Sequence, residues 1–214
     1  MKCEPQTKEL DQVALGKALP LMESFYTIQG EGYYQGESAY FIRLAGCDVG
    51  CHWCDVKDSW DASQHPVMEV DDIVAQVVSS AADKVVVTGG EPLMHNNDYL
   101  CRQFGKFGIR RHIETSGAYP ISGEWDWICF SPKKFKKPIE QVAKSADELK
   151  VVIYNKSDFQ WAESFRPLVS NKCRLYLQPE WSKRDNITPE IVQYVKRNPQ
   201  WAISLQVHKY IDVP

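Results

Sequence analysis

The chain has no long apolar run. Its uninterrupted apolar stretches, such as Val85-Val86-Val87, fall far short of the roughly 20 residues that a membrane-crossing helix needs. The opening residues, MKCEPQTKEL, show no basic start followed by an apolar core, so no secretory leader and no membrane association are expected, and the protein is expected in the cytoplasm. An excess of positive charge is also missing. The 25 Lys and Arg stand against 28 Asp and Glu, a net −3, which argues against a broad nucleic-acid surface. There is no internal repeat, no low-complexity tract and no linker rich in Gly, Pro or Ser, so residues 1–214 read as one domain. Hydrophobic residues at 43% and charged residues at 25% exclude a disordered, fibrous or collagen-like chain. Finally, the seven cysteines cannot all pair with one another, because seven is odd. In a reducing compartment clustered cysteines bind metal or react, and three of them, Cys47, Cys51 and Cys54, fall in one short stretch, GCDVGCHWCD.

What the chain does have is alternation. Ala39–Leu44, Lys84–Thr88, Arg110–Thr115, Asp126–Phe130, Leu149–Tyr154, Arg174–Leu177 and Trp201–Leu205 read as strands. Helical spacing marks Met68–Ser80, Tyr99–Phe107, Gln141–Glu148 and Asp158–Phe165. A further helix is expected to open with Thr188 as N-cap and Pro189 in its first position. About seven strands, most of them separated by helices, predict an α/β fold with mostly parallel strands and right-handed crossovers. A complete eightfold barrel takes about 250 residues, so a partial, modified TIM-like barrel suits this length better. Ligands of such sheets sit at the C-terminal strand ends. Gly46-Cys47, Gly89-Gly90-Glu91-Pro92, Glu114-Thr115-Ser116-Gly117, Ser131-Pro132-Lys133, Gln178-Pro179-Glu180 and Gln206-Val207-His208 all fall there.

Cys47, Cys51 and Cys54 follow a C-x3-C-x2-C pattern. A structural zinc wants four protein ligands; His52 lies between two of the cysteines, where its ring is poorly placed to complete a tetrahedron, and no second C-x2-C pair exists. A [4Fe–4S] cluster bonded to three thiolates would keep one iron open. Cys3, Cys101, Cys129 and Cys173 read as small buried packing residues. The three-cysteine loop followed by Gly89-Gly90-Glu91 resembles the signature of the radical S-adenosylmethionine superfamily. Together with Phe25-Tyr26-Thr27-Ile28-Gln29-Gly30-Glu31-Gly32, Glu114-Thr115-Ser116-Gly117 and His208, it resembles the 7-carboxy-7-deazaguanine synthases over about residues 25–214.

That resemblance implies a radical S-adenosylmethionine core, with Cys47, Cys51 and Cys54 as ligands of a [4Fe–4S] cluster. Trp53, Asp55, Gly89, Gly90, Glu91 and Ser116 match cosubstrate-binding positions, as do Ser131, Pro132, Lys133, Gln178, Pro179 and Glu180. Ile28, Gln29, Gly30, Glu31, Arg43, Thr88, His208 and Pro214 match substrate-binding ones. Arg43 would pair with a substrate carboxylate, which its planar fork suits; an idle charge is disfavoured within Phe41-Ile42-Arg43-Leu44. Pro214 matches a position whose free carboxylate reaches into the site. The implied activity is that of a lyase in queuosine and 7-deazapurine biosynthesis. It would convert 6-carboxy-5,6,7,8-tetrahydropterin to 7-carboxy-7-deazaguanine: a 5′-deoxyadenosyl radical takes hydrogen from C6, the ring contracts and ammonia leaves. An external electron donor such as flavodoxin and a homodimer are implied as well. Many relatives place Thr or Ser after the Cys-Asp of the loop, where the hydroxyl helps to hold Mg2+; here Cys54-Asp55 is followed by Val56, which has no ligand atom, so two outcomes stay open: Mg2+ bound through substrate oxygens, Asp55 or water, or Mg2+ dispensable. Two other readings stay open at this point: a radical activase acting on a protein, and a non-enzymatic zinc module.

Overall fold

The structure, a computed structural model, describes residues 11–214; Cys3 and the opening stretch read above lie outside them. Nine strands are formed: β1 (Ala18–Ile28), β2 (Ser38–Leu44), β3 (Val67–Glu69), β4 (Lys84–Gly89), β5 (Arg110–Thr115), β6 (Trp127–Phe130), β7 (Glu148–Ile153), β8 (Arg174–Pro179) and β9 (Trp201–Ile203). They make one sheet in the order β3-β1-β2-β4-β5-β6-β7-β8-β9. From β2 through β9, leaving out β3, every neighbouring pair is parallel, and these are the seven expected strands. The result is a partial TIM-like barrel. Its two ends, β3 and β9, do not pair. The loop after β1 bridges toward β9 instead: Val207 N–H donates to Gly30 O at 2.9 Å and Gly32 N–H to Ser204 Oγ at 2.9 Å.

β1 and β3 are additions to the expected set, and both pair antiparallel at one edge. Polar residues (Glu23, Ser24, Thr27) and a proline at 20 hide β1 from a search for apolar alternation. The strand changes partner where the proline sits: residues 18–20 pair with β3, and the register on β2 shifts between Leu21 and Glu23.

Among the described residues, helices α1 (Val70–Val78), α2 (Asp98–Lys106), α3 (Glu140–Ser145), α4 (Ser157–Phe165) and α5 (Arg184–Arg197) pack outside the sheet, and a short α6 (His208–Ile211) follows β9 and brings His208 to the concave side. α1 is shorter than expected because Val67–Glu69 pairs as β3. It buries Val70, Ile73, Val74 and Val77, each worth about 1.5–3 kcal/mol. α3 stops at Ser145 rather than reaching Glu148, since Ala146 turns extended and Glu148 opens β7. α5 begins at Arg184, not at Pro189. A 3-10 turn, Trp181–Lys183, runs directly into it, anchored by the Glu180 carboxylate, which accepts from Ser182 N–H at 3.1 Å. Pro189 lies inside the helix, where its missing N–H would have met Asp185, an exposed residue whose carbonyl water can take.

The strands have two faces, as their period of two demands. Val85 and Val87 enter a core with α1 and α2; Leu149, Val151 and Ile153 enter a second with α3, α4 and α5. The alternate residues, among them Thr88, Glu114, Lys150 and Gln178, line the concave side, which is polar.

Candidate active site

The concave face encloses a cavity of about 270 Å3. The loop after β2 supplies its upper wall. Gly46 N–H donates to Ser59 O at 2.6 Å and Cys47 N–H to Trp60 O at 3.1 Å, which fold residues 46–60 back on themselves. Cys47, Cys51 and Cys54 all line the cavity. Burial pushes the Cys47 thiol up and Cys51 up to about 11, so both hold their protons until a metal displaces them. Among the described residues no three His, Cys, Asp or Glu side chains converge on a single-ion site. Three thiols on one wall, with no fourth protein ligand, fit an iron–sulfur core bonded through separate irons, one iron left to a cosubstrate. His52 takes no part; its ring packs edge-on against Phe135 and Tyr154, both 5.3 Å between centroids. Cys101, Cys129 and Cys173 are buried, as expected.

The turn after β4 is pressed against this loop. Gly90 N–H donates to Leu44 O and Glu91 N–H to Gly46 O, both at 2.8 Å. A Cβ at Gly90 would stand 2.2 Å from Gly46 O, and one at Gly89 (φ +125°) 2.1 Å from Leu44 O, so two glycines are what this close approach permits. Glu91 lines the cavity yet is 1% exposed, and both its oxygens are occupied. Oε1 accepts from Leu93 N–H at 3.1 Å and Thr115 Oγ1–H at 2.5 Å; Oε2 accepts from Ser116 N–H at 2.8 Å and from the Ser116 hydroxyl. Its carboxylate therefore ties the ends of β4 and β5 together.

The other expected cosubstrate residues surround the same space. Trp53, Asp55, Ser116, Ser131, Lys133, Gln178, Pro179 and Glu180 all line it; Pro132 is buried but does not. Lys133 Nζ donates to Ser131 O at 2.6 Å and to Ser131 Oγ at 2.7 Å, and burial pulls its ammonium below the usual range. Gln178 Oε1 accepts from Ser204 Oγ–H at 2.8 Å.

Ile28, Gln29, Gly30, Glu31, Arg43, Thr88, His208 and Pro214 line the remaining wall. Arg43 and Thr88 are register partners on β2 and β4. Arg43 Nε donates to Glu23 Oε1 at 2.6 Å, which steadies the guanidinium and leaves its terminal nitrogens for a ligand. His208 lies close against Gly30: a Cβ there would meet Nδ1 at 2.0 Å. Burial pulls the His208 imidazole below its ordinary value. Thr27 Oγ1–H donates to Pro214 O at 3.4 Å.

One charged residue in this wall, Lys150, escapes a reading of the sequence; Glu114, read above at the ligand-binding strand ends, has no role assigned there. Lys150 sits in an apolar strand, Leu149-Lys150-Val151-Val152-Ile153. The available signal was a lone charge in that run, the same argument that singled out Arg43. At the position where Mg2+ would want an oxygen, Val56 lines the cavity, and the Asp55 carboxylate is paired with Lys209 at 2.7 Å. These residues do not make a cation site.

Comparison with known proteins places this geometry. Residues 41–129 match the Radical SAM superfamily. A 7-carboxy-7-deazaguanine synthase of Flavobacterium psychrophilum is 53% identical over 97% of this chain and 99% of that protein. The one from Synechocystis is 46% identical over 91% of this chain and 93% of that protein. Among solved structures, QueE from Escherichia coli superposes with a TM-score of 0.81 at 28% identity, covering 92% of this chain and 97% of that one.

Proposed function

The chain belongs to the 7-carboxy-7-deazaguanine synthase family, and on that footing we propose that its cavity takes 6-carboxy-5,6,7,8-tetrahydropterin beside S-adenosylmethionine. The protein is a radical S-adenosylmethionine lyase of 7-deazapurine biosynthesis. The observation that carries the substrate reading is the convergence on one cavity of the three-cysteine loop, the Arg43 guanidinium and the polar Gln29-Gly30-Glu31 loop. When bound, the [4Fe–4S] cluster and S-adenosylmethionine supply the one-electron chemistry that begins the ring contraction. Cys47, Cys51 and Cys54 would hold the cluster.

The remaining work belongs to the chain. Arg43 offers two parallel N–H groups to the pterin carboxylate, an arrangement a lysine could not reproduce. Gln29 and Glu31 present acceptors to the aminopyrimidinone edge, and Thr88 and His208 border the ring. The tight seating of Gly89-Gly90 against the cysteine loop keeps the cosubstrate end rigid, so that the reactive carbon meets the pterin rather than solvent. An external one-electron donor of the flavodoxin kind, a homodimer, a single working domain and a cytoplasmic setting belong to the same reading.

Reduced, cluster-loaded enzyme given the pterin and S-adenosylmethionine without oxygen is expected to release 7-carboxy-7-deazaguanine, detected by mass spectrometry. Cosubstrate cleavage with no deazaguanine would overturn the substrate assignment. Because Val56 and the paired Asp55 supply no cation site, turnover in Mg2+-free buffer is expected within about twofold of that with millimolar Mg2+. A tenfold or greater stimulation by the ion, roughly, would contradict this.

A further inference from the structure

Lys150 presents an ammonium to the cavity from the middle of β7, with its side chain 3% exposed. Nζ donates to Glu114 Oε2 at 2.9 Å and to Glu31 Oε2. Each carboxylate's other oxygen is held by an amide. Gln206 Nε2–H donates to Glu31 Oε1 at 2.9 Å and Gln29 Nε2–H to Glu114 Oε1 at 3.0 Å. Gln29 Oε1 accepts in turn from Glu31 N–H at 3.0 Å. These five side chains come from the loop after β1, from β5, from β7 and from the segment after β9, and all line the one cavity.

Stability alone does not call for this arrangement. Burying a charge costs several kcal/mol even when it is paired, and an apolar set of equal volume does as well or better. Neutralising one ammonium takes one carboxylate, and here there are two. The surplus negative charge faces the place proposed above for the N–H-rich edge of the heterocycle.

We propose that Lys150 is a positioning residue that pairs with Glu31 and Glu114 and holds both carboxylates turned into the cavity, so that they accept from a ring edge of N–H donors. It thereby selects a 2-amino-4-oxopyrimidine ring over rings with acceptors at that edge. This rests on reading the cavity as a pterin site.

The electrostatics agree with the geometry. Burial would raise the Glu31 carboxyl, but the Lys150 ammonium overrides it, with help from Gln206 and His208, and holds it at about 2. Burial would pull Lys150 down, yet the acidic groups around it, Cys129 on β6, Glu114 on β5, Glu31 and Glu148, hold it well above its ordinary value. Burial keeps the Cys129 thiol protonated, so near neutral pH the carboxylates do this.

Lys150→Met keeps the length of the side chain and removes its charge. Two buried carboxylates then share the space without a cation, and one takes up a proton near neutral pH. A depressed carboxyl is ionised above its folded pKa, so in wild type Glu31 itself adds no acid limb until pH falls toward about 2. In the Met variant the raised carboxyl is protonated as pH falls from about 8 to 6, and binding falls with it. The expected result is a KM for the pterin raised about thirtyfold at pH 7, a KM for S-adenosylmethionine moved far less, and an acid limb in kcat/KM that wild type lacks. His208 feels both the Lys150 ammonium and the Glu31 carboxylate, so the two profiles are compared in a His208→Asn background, which removes its titration. Lys150→Arg, which keeps a charge, is expected to restore the wild-type pH profile. A Met variant with the wild-type KM and profile overturns the proposal. Should that variant fail to fold, as judged by circular dichroism, wild-type affinity for the pterin between about pH 7 and 3.5 decides: a limb at about pH 4 that Lys150→Arg displaces and His208→Asn leaves in place puts Glu31 in the ordinary carboxylate range, against the proposal. Wild-type enzyme that binds no pterin overturns the substrate reading instead.

Discussion

Cys51→Ala is expected to yield a folded protein that holds no [4Fe–4S] cluster and forms no product. Cys51 lies in the middle of the cysteine loop and lines the cavity. The bond that shapes the loop there is made by its backbone, with Cys54 N–H donating to Cys51 O at 3.0 Å, so alanine leaves the loop's path intact. Only the thiolate is lost. Two remaining protein ligands are too few for a cluster that must keep one iron open to a cosubstrate. After anaerobic reconstitution the variant should lack the broad brown absorption near about 400 nm, and turnover should fall by more than about 10^4-fold. The same substitution at Cys101 separates a ligand from a packing thiol. Cys101 is buried in α2 at a distance from the loop, so Cys101→Ala should keep the colour and lose about 1 kcal/mol of stability. A Cys51→Ala protein that keeps both colour and turnover would remove Cys51 from the ligand set.

Those two cysteines show why much of the molecule was legible in its sequence. Cys51 stands in a spacing that only a loop-borne metal group explains, while Cys101 sits at helical spacing among apolar residues. The parallel strands were equally readable, since a strand buried on both sides is a run of apolar residues such as Lys84–Thr88. β1 was not, because beyond Pro20 it has β2 as its one strand partner, and this half-exposed stretch carries Glu23, Ser24 and Thr27. The start of α5 was misplaced for a related reason. Thr188-Pro189 is a good start signal taken alone, but the 3-10 turn held by Glu180 had already begun the helix. The residues nearest a motif, in the cysteine loop, the Gly89-Gly90 turn and the Gln29–Glu31 loop, all come to line the one cavity. Lys150, and the role of Glu114, were missed because the two lie 36 residues apart and farther still from Glu31 and Gln206. A buried ion pair leaves no local pattern; only the fold makes it visible.

Glu91 carries the second large effect, and its geometry gives the sign. Its carboxylate accepts four hydrogen bonds and is almost wholly buried. Glu91→Gln keeps the shape but replaces one oxygen by a donor. If the amide oxygen faces Ser116, the NH2 group meets Leu93 N–H and the Thr115 hydroxyl; if it is flipped, the NH2 group meets Ser116 N–H. Thr115 can turn its hydroxyl to accept, but a backbone N–H cannot, so either orientation strands a buried donor. The loss of charge-assisted bonds and the stranded donor together cost about 3 kcal/mol. For a chain of this size that lowers the unfolding midpoint of cluster-free protein by about 6–12 °C. Activity should suffer more than stability. Gly90 and Ser116, on either side of this carboxylate, line the cavity proposed for the cosubstrate, and a shift of about 1 Å there costs about a hundredfold in rate. Glu91→Asp tests the same tie without changing charge, since its shorter side chain cannot reach Leu93 and Ser116 together. It should recover part of the stability and little of the turnover, measured by thermal melts and by product formation in the reconstituted enzyme. A Gln variant with wild-type midpoint and wild-type rate would show that β4 and β5 are held in register by their backbone pairing alone.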